Sequence, residues 1–217
     1  MFLGHFGLGF GAKKAAPDVS LGALFMAAQF ADLLWPTLLL LGLEQVEVQP
    51  GATLATPLNF VSYPYSHSLL ALVVWGALFG IVYHVSTRSR TLAGVTLGLL
   101  VLSHWFLDVL MHRPDLPLTP SGAARLGLGL WNSMALTLAG ELLVFFAGLV
   151  IYARATAARD RVGSIGLWSL AGFLLVVYLA SIFGPPPPGA FAVAGAAQAM
   201  WLLVAWGYWI DRHRVTA

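Results

Sequence analysis

Long apolar stretches recur along the whole chain and are separated by short polar connections. A bilayer core about 30 Å thick needs roughly 20 apolar residues in a helix to cross it. Backbone polar groups must be paired within the segment in lipid, and no alternating strand pattern occurs, so each stretch is predicted to be a helix. The pattern predicts an all-α, polytopic membrane protein with about six transmembrane helices in one bundle. The predicted segments are 19–43, 67–86, 91–112, 132–153, 164–184 and 190–210.

Residues 1–17 precede the first long stretch and are too few to span. Their glycine-rich run FLGHFGLGFGA is followed by Lys13 and Lys14, whereas a signal peptide places its positive charges first. We expect 1–17 to lie in the interface or to re-enter the bundle. Residues 19–210 then form the six-helix bundle of a single membrane-embedded domain, 1–217.

The basic residues favour one orientation of this bundle. Of the eleven Lys and Arg residues, all except Arg113 and Arg125 fall at one face when every segment spans. Because positive charge is retained on the cytoplasmic side, both termini are predicted to be cytoplasmic.

Composition excludes several classes of protein. The chain is 59% hydrophobic and only 9% charged, whereas a soluble domain carries about 25% charged residues. A water-soluble fold and nucleic-acid binding are therefore excluded. There is no cysteine, so disulfides, thiolate metal sites and cysteine nucleophiles are excluded as well. Any metal ion must be held by His, Asp, Glu or Asn.

Ionisable residues inside the apolar stretches are costly in lipid, and each needs a reason. His104, Asp108 and His112 are spaced i, i+4, i+8 and share one helix face. In the predicted topology the ionisable residues of four helices reach overlapping depths in the outer half of the membrane. The set comprises Asp32, His67, His104, Asp108, His112 and Glu141.

Clustered carboxylates and imidazoles suit a divalent ion such as Zn²⁺ or Mn²⁺. The ion would offset repulsion between the carboxylates and would lower the pKa of a coordinated water, supplying hydroxide for hydrolysis. Each residue alone also has a simpler interpretation, as a structural hydrogen bond, a packing residue or part of a proton relay. Arg113, at the outer end of the third segment, is a candidate for holding a substrate phosphate or an interfacial anchor.

Two phrases, YPYSHSLL at 63–70 and LSHWFLDVL at 102–110, resemble the YdjM-like family of bacterial membrane-bound metal-dependent hydrolases. The resemblance covers residues 1–118 and implies a location in the bacterial cytoplasmic membrane. It also implies a metal-ligand set that includes an early histidine near the glycine-rich start. The matching positions are His5, Asp32, His67, His104 and Asp108.

More remotely, the order His, Asp, His, HxxxD, Glu is similar to the all-helical zinc-dependent phospholipase C group and its related nucleases, which cleave phosphate esters with three zinc ions. This similarity implies that Glu141 belongs to a further metal position. The group has HxxxE there, whereas position 137 is Thr in this chain, so His112 or Asn132 would have to replace the missing histidine. The expected cofactor is accordingly one to three divalent ions, Zn²⁺ before Mn²⁺.

The sequence thus predicts a membrane-embedded hydrolase acting on a lipid or lipid-linked phosphoester, with its active site toward the outer leaflet. Asp108 and Glu141 are the candidate catalytic residues, Glu141 as a ligand or a general base. Arg113, His112 and Asn132 are the candidate substrate residues. Two alternatives remain: a metal or proton transporter, and a non-catalytic membrane subunit with a structural metal. Homo-oligomerisation stays open.

Overall fold

The computed structural model describes residues 1–217 and consists of helices joined by short loops and two-stranded ribbons. The helices are α1 (Leu3–Ala12), α2 (Leu21–Ala28), α3 (Phe30–Leu40), α4 (Pro64–His67), α5 (Leu69–Thr87), α6 (Thr91–Met111), α7 (Met134–Ala155), α8 (Arg161–Phe183), α9 (Ala190–Gln198) and α10 (Met200–Asp211), with a 3₁₀ turn at Leu130–Asn132. The strands pair antiparallel as β1 (Gln45–Val48) with β2 (Leu58–Ser62), β3 (Leu116–Pro117) with β4 (Arg125–Leu126), and β5 (Thr156–Ala158) with β6 (Arg214–Thr216).

Five helical segments are long and apolar enough to cross a membrane: α5, α6, α7, α8 and the continuous stretch Ala190–Asp211. The bent pair α2–α3 makes a sixth when it is counted as one span. Large apolar side chains such as Leu143 and Val85 point outward along these helices, as expected where the surroundings are lipid. The predicted all-α, multi-pass membrane fold is confirmed.

The prediction of one continuous helix over 19–43 is wrong in one respect. The segment breaks at Gln29, and α2 and α3 meet there at 58°. The buried Gln29 side chain donates a hydrogen bond to the Phe2 carbonyl oxygen at 3.3 Å, which ties the break to α1. Pro36 inside α3 also lacks the N–H that would continue the helical ladder. The break leaves the last carbonyls of α2 free to accept other donors.

Helix α1 lies inside the bundle and packs lengthwise against α7. Glycines permit this close approach: a Cβ on Gly148 would overlap the carbonyl oxygen of Gly7. The side chains of α1 that pack in the core include Leu3, Phe6 and Phe10, all fully buried. Helix α1 is therefore part of the interior of the bundle.

The basic residues of three segments meet at one end of the bundle. Lys13 donates hydrogen bonds to Asp211 at the end of α10, and Arg214 in β6 binds Thr156 in β5. Helix α6 starts beside Arg90, at its N-cap, and runs to Met111, so the last turns of α6 lie toward the opposite end. Those turns carry His104 and Asp108.

Candidate metal centre

The ionisable residues of four helical segments meet in one buried cluster. His5 comes from α1, Asp32 from the first turn of α3, His67 from the end of α4, and His104 and Asp108 from adjacent turns of α6. Two triads within it place their ligand atoms within 4.8 Å of one another: His5, His104 and Asp108, and Asp32, His67 and His104. Asp32 is the most exposed member, with 23% of its side chain accessible, and the others are buried.

Two imidazole nitrogens alternate with two carboxylate oxygens at the centre of this cluster. The Nε2 atom of His67 lies 3.3 Å from Asp32 Oδ1 and 3.9 Å from Asp108 Oδ2. The Nε2 atom of His104 lies 3.8 Å from the same Asp32 oxygen and 3.2 Å from the same Asp108 oxygen. A tetrahedral ion with bonds of about 2.0–2.2 Å holds its ligands about 3.3–3.6 Å apart. The His67–Asp32 and His104–Asp108 separations lie within about 0.1 Å of this range, and the other two are 0.2–0.3 Å longer.

The break between α2 and α3 orients His104. The carbonyl oxygen of Ala28, the last residue of α2, lies 2.9 Å from His104 Nδ1. Because a carbonyl only accepts hydrogen bonds, Nδ1 carries a proton and Nε2 faces the carboxylates. Nε2 is fully buried and has no hydrogen-bond partner. A buried nitrogen between two carboxylates is favourable only when positive charge lies between them, as a proton on Nε2 or as a bound cation.

A hydrogen-bond chain orients His67 in the same way. The buried carboxylate of Glu44 accepts from the Ser66 hydroxyl at 2.6 Å and from the Ser66 backbone N–H at 2.9 Å. Because the Ser66 hydroxyl donates its proton to Glu44, the Ser66 oxygen accepts a hydrogen bond from His67 Nδ1, 2.7 Å away. His67 Nε2 then faces Asp32, 3.3 Å from Oδ1. Carboxylate partners behind the imidazole ligand are a common support of metal sites.

His5 enters the cluster from α1 and lies against His104. The two imidazole rings stack with centroids 3.6 Å apart and planes 6° from parallel, and His5 Nε2 lies 3.0 Å from Asp108 Oδ1. The amino group of Met1 also contacts this Asp108 oxygen. Asp108 thus directs one oxygen toward His5 and the other toward His67 and His104, and it lies between the two triads.

Glu141 supports the start of α1. Its two carboxylate oxygens accept the backbone N–H groups of Phe2 and Gly4, each at 2.8 Å. These are donors at a helix N-terminus, where a negative charge is favourable. Glu141 belongs to neither triad, although its side chain is buried and lines the same cavity as Asp32 and Asp108.

His112 closes the cluster at the end of α6, with Nε2 3.9 Å from Asp108 Oδ2. Burial lowers the pKa of His112, and its Nδ1 lies 2.9 Å from Asp115 Oδ1. Burial opposes the ionisation of Asp115, but hydrogen bonds from His112, Tyr63 and Arg113 bring its pKa below the usual value. Asp115 is therefore an acceptor, so Nδ1 of His112 donates and Nε2 faces the cluster.

A cavity of about 440 Å³ opens beside the cluster. Asp32, His67, Asp108 and His112 form part of its wall, with Glu141 and Thr137 opposite on α7. The remaining wall is largely apolar or aromatic and includes Phe2, Trp35, Phe60 and Trp131. The volume lies within the range of about 300–1,000 Å³ that is typical of small-molecule sites.

Two of the predicted substrate residues do not line this cavity. The guanidinium of Arg113 binds Asp115 at 3.1 Å and contacts the Asn59 side-chain oxygen. Its N–H groups therefore bind residues of the outer loops. Asn132 is exposed at the end of the 3₁₀ turn, while its neighbour Trp131 forms the wall. Of the three predicted substrate residues, only His112 faces the cavity.

Comparisons with protein-family models, with curated proteins and with solved structures find no match to this chain.

Three groups that orient the histidines were missed by sequence reasoning. Asp115 follows His112 by three residues in the run HRPD, a spacing that could have indicated it. Glu44 lies in a loop more than twenty residues from Ser66, and no local pattern links them. The Ala28 carbonyl has no sequence signal, because its role depends on a helix break that propensity alone does not indicate.

Proposed function

We propose that this chain is a membrane-embedded, metal-dependent hydrolase that cleaves a phosphate ester of a lipid or lipid-linked substrate. The observation that carries the proposal is the convergence of the Nε2 atoms of His67 and His104 on the carboxylates of Asp32 and Asp108. Imidazole and carboxylate together form the donor set of catalytic zinc sites.

The orientation of the histidines supports a metal site over a salt-bridge network. In a network, a protonated His104 would donate from Nε2 to a carboxylate, yet Nε2 has no hydrogen-bond partner at 3.2 Å from Asp108. In a metal site the same lone pair is a ligand, and Ala28 holds the proton on the other nitrogen. The second arrangement accounts for both nitrogens of the ring.

The residues divide into roles on this proposal. A divalent ion held here would polarise a phosphoryl oxygen and lower the pKa of a bound water. Asp32, His67, His104 and Asp108 hold the ion, and Asp108 Oδ1 with His5 offers a second position. Glu141 fixes the amino end of α1, and through it His5, while facing the cavity as the candidate general base.

The open side of the cluster favours catalysis over a purely structural metal. Structural zinc sites are closed by four protein ligands, whereas catalytic sites keep a position for water or substrate. Asp32 is partly accessible, and a cavity large enough for a phosphate ester adjoins it.

An aromatic layer argues against the transporter alternative. Between His5 and Lys13 on α1, the interior is filled by fully buried rings that pack edge to face. A conduction path would need polar groups through this layer toward the basic end. The layer comprises Phe6, Phe10, Phe25, Phe145 and Tyr152.

We place the protein in the bacterial cytoplasmic membrane, with both termini cytoplasmic and the site toward the outer leaflet. The clustering of Lys13 and Arg214 at the end of the bundle away from the site supports this orientation. The resemblance of YSHS and SHWFLD to the YdjM-like family supports the bacterial assignment.

The test is phosphate release from a panel of lipid phosphate esters by purified protein supplied with Zn²⁺ or Mn²⁺. We expect turnover that is abolished by chelation and by Asp108→Ala but retained in His84→Ala, because His84 lies far along α5 from the site. Metal-loaded protein that hydrolyses no member of the panel would favour the structural-metal alternative.

A further inference from the structure

A second, apolar groove lies beside the cavity of the candidate metal centre. Its volume is about 590 Å³, and twelve of its fourteen wall residues are hydrophobic. The walls come from α3, α8 and the α9–α10 segment, and Asp32 and Ser181 are the polar exceptions.

The groove and the cavity share a boundary. Six residues line both, so the two spaces adjoin each other at the partly exposed end of the metal cluster. Asp32 stands at this junction with its carboxylate toward His67. The shared residues are Phe2, Asp32, Trp35, Leu58, Ser181 and Ala196.

The other end of the groove opens sideways. Its rim includes Phe173 on α8, which is 46% exposed, and Leu202 on α10, which is 71% exposed. Both lie on helices that are long and apolar enough to span the membrane. At this position the surroundings are the hydrocarbon of the bilayer, so the occupant that reaches the groove is a lipid chain rather than a water-soluble group.

We propose that the groove between α3, α8 and α10 holds one hydrocarbon chain of the substrate, which enters sideways from the membrane and places its phosphate ester beside Asp32. This inference rests on the proposed function and adds to it where the hydrocarbon chain of the phosphate monoester or diester binds and how it enters. The chain contributes binding through burial of apolar surface, and the head group alone meets the metal cluster.

Val177 offers a direct test because it lines the groove and its neighbour does not. Val177→Trp would fill the groove from α8, whereas Val176→Trp adds the same side chain at a position that is 65% exposed to lipid. Ala197→Phe is a second groove-filling variant on α9, used if Val177→Trp does not fold.

Binding is measured first, without turnover. A long-chain alkyl phosphate with a diazirine in the chain is photo-crosslinked to the wild type in detergent, and the labelled peptides are identified by mass spectrometry. We expect labelling concentrated on the groove walls of α8 and α10, lost in Val177→Trp and retained in Val176→Trp. Labelling spread evenly over the lipid-facing helices, or unchanged by Val177→Trp, would overturn the proposal.

Turnover then separates the groove from the proposed function. Val177→Trp should lower kcat/KM for a long-chain phosphate ester by about tenfold or more, the scale of lost methylene contacts, and leave a short-chain soluble ester nearly unaffected. Equal rates of the variant and the wild type on the long-chain ester would reject the groove while leaving hydrolysis intact. Specific groove labelling in a protein without any esterase activity would keep the groove and reject hydrolysis.

Discussion

His5 and His104 stack face to face at the centre of the protein, with ring centroids 3.6 Å apart. One ring is carried by the short re-entrant helix α1 and the other by the membrane-spanning helix α6. Both rings face Asp108. His5 Nε2 lies 3.0 Å from Asp108 Oδ1, and His104 Nε2 lies 3.2 Å from Asp108 Oδ2. The position of α1 therefore determines where His5 lies in the candidate metal centre.

The close packing of α1 on α7 predicts a strong effect of a single methyl group. Gly148→Ala places its Cβ against the Gly7 carbonyl, so α1 must move and carry His5 away from His104. We expect a loss of about 1–3 kcal/mol of stability, as in other overpacked cores, and weaker metal binding. The measurements are thermal unfolding and metal content of the purified protein.

Gly172→Ala is the matched control for that change. Gly172 lies within α8, and a Cβ there would meet no atom within 4 Å. The free energy of unfolding of the Gly172→Ala variant should equal that of the wild type or exceed it by up to about 1 kcal/mol, because alanine favours the helix. Equal effects of the two substitutions would show that the contact between α1 and α7 is not responsible.

The chain from Glu44 through Ser66 to His67 predicts that a loop residue controls metal affinity. Glu44→Gln replaces an acceptor of the Ser66 hydroxyl with a donor, which releases the His67 ring. Changes of this kind behind a ligand weaken metal binding by about 10–100-fold. Affinity is measured by competition with a chelating dye.

Glu47→Gln provides the comparison, since Glu47 lies in the same loop region and its carboxylate only accepts an exposed hydrogen bond from Asn59. Its metal affinity should equal that of the wild type. If Glu44→Gln and Glu47→Gln bind metal equally well, the hydrogen-bond chain has no role in the site.

Metal removal should destabilise the folded protein. A ligand at 100 times its Kd stabilises the state that binds it by about 2.7 kcal/mol, which corresponds to about 5–10 °C in Tm for a protein of this size. Chelation of the wild type should lower Tm by that amount, and the Asp32→Asn, His104→Ala double variant should show no response. A chelator shift that persists in the double variant would place the stabilising metal elsewhere.

The orientation of the bundle can be tested on single cysteines, because the chain has none of its own. Gln49 and Arg159 are exposed in connections assigned to opposite faces. Gln49→Cys and Ser62→Cys should react with an impermeant maleimide on intact cells, and Arg159→Cys only after permeabilisation. The reverse pattern would mean that the site faces the cytoplasm.

The membrane-spanning segments and most members of the cluster were predictable because lipid imposes simple rules on sequence. An apolar stretch of fixed length must be a helix, and an ionisable residue within it is costly enough to stand out. Asp32, His67, His104 and Asp108 were found in this way, and they do meet in the structure. Gly76 and Gly80 on α5 lie against Gly98 and Gly94 on α6, which lets the two helices approach closely.

The features that depend on tertiary contacts were not predictable. The break at Gln29 follows from its buried hydrogen bond to Phe2, and the role of Ala28 follows from the break. Arg113 was assigned to substrate on charge alone, but its partners Asp115 and Asn59 come from folding of the outer loops. No local sequence pattern indicates such pairings, because they form only when the whole bundle has assembled.

The central claim is that His104 is a metal ligand, and elemental analysis of the purified protein tests it most directly. Wild type, His104→Ala and His84→Ala are compared, since His84 lies on α5 outside the cluster. The account predicts at least one equivalent of zinc or manganese in the wild type and in His84→Ala, and a marked loss in His104→Ala. Wild-type protein that contains no metal even after zinc and manganese are supplied would contradict it.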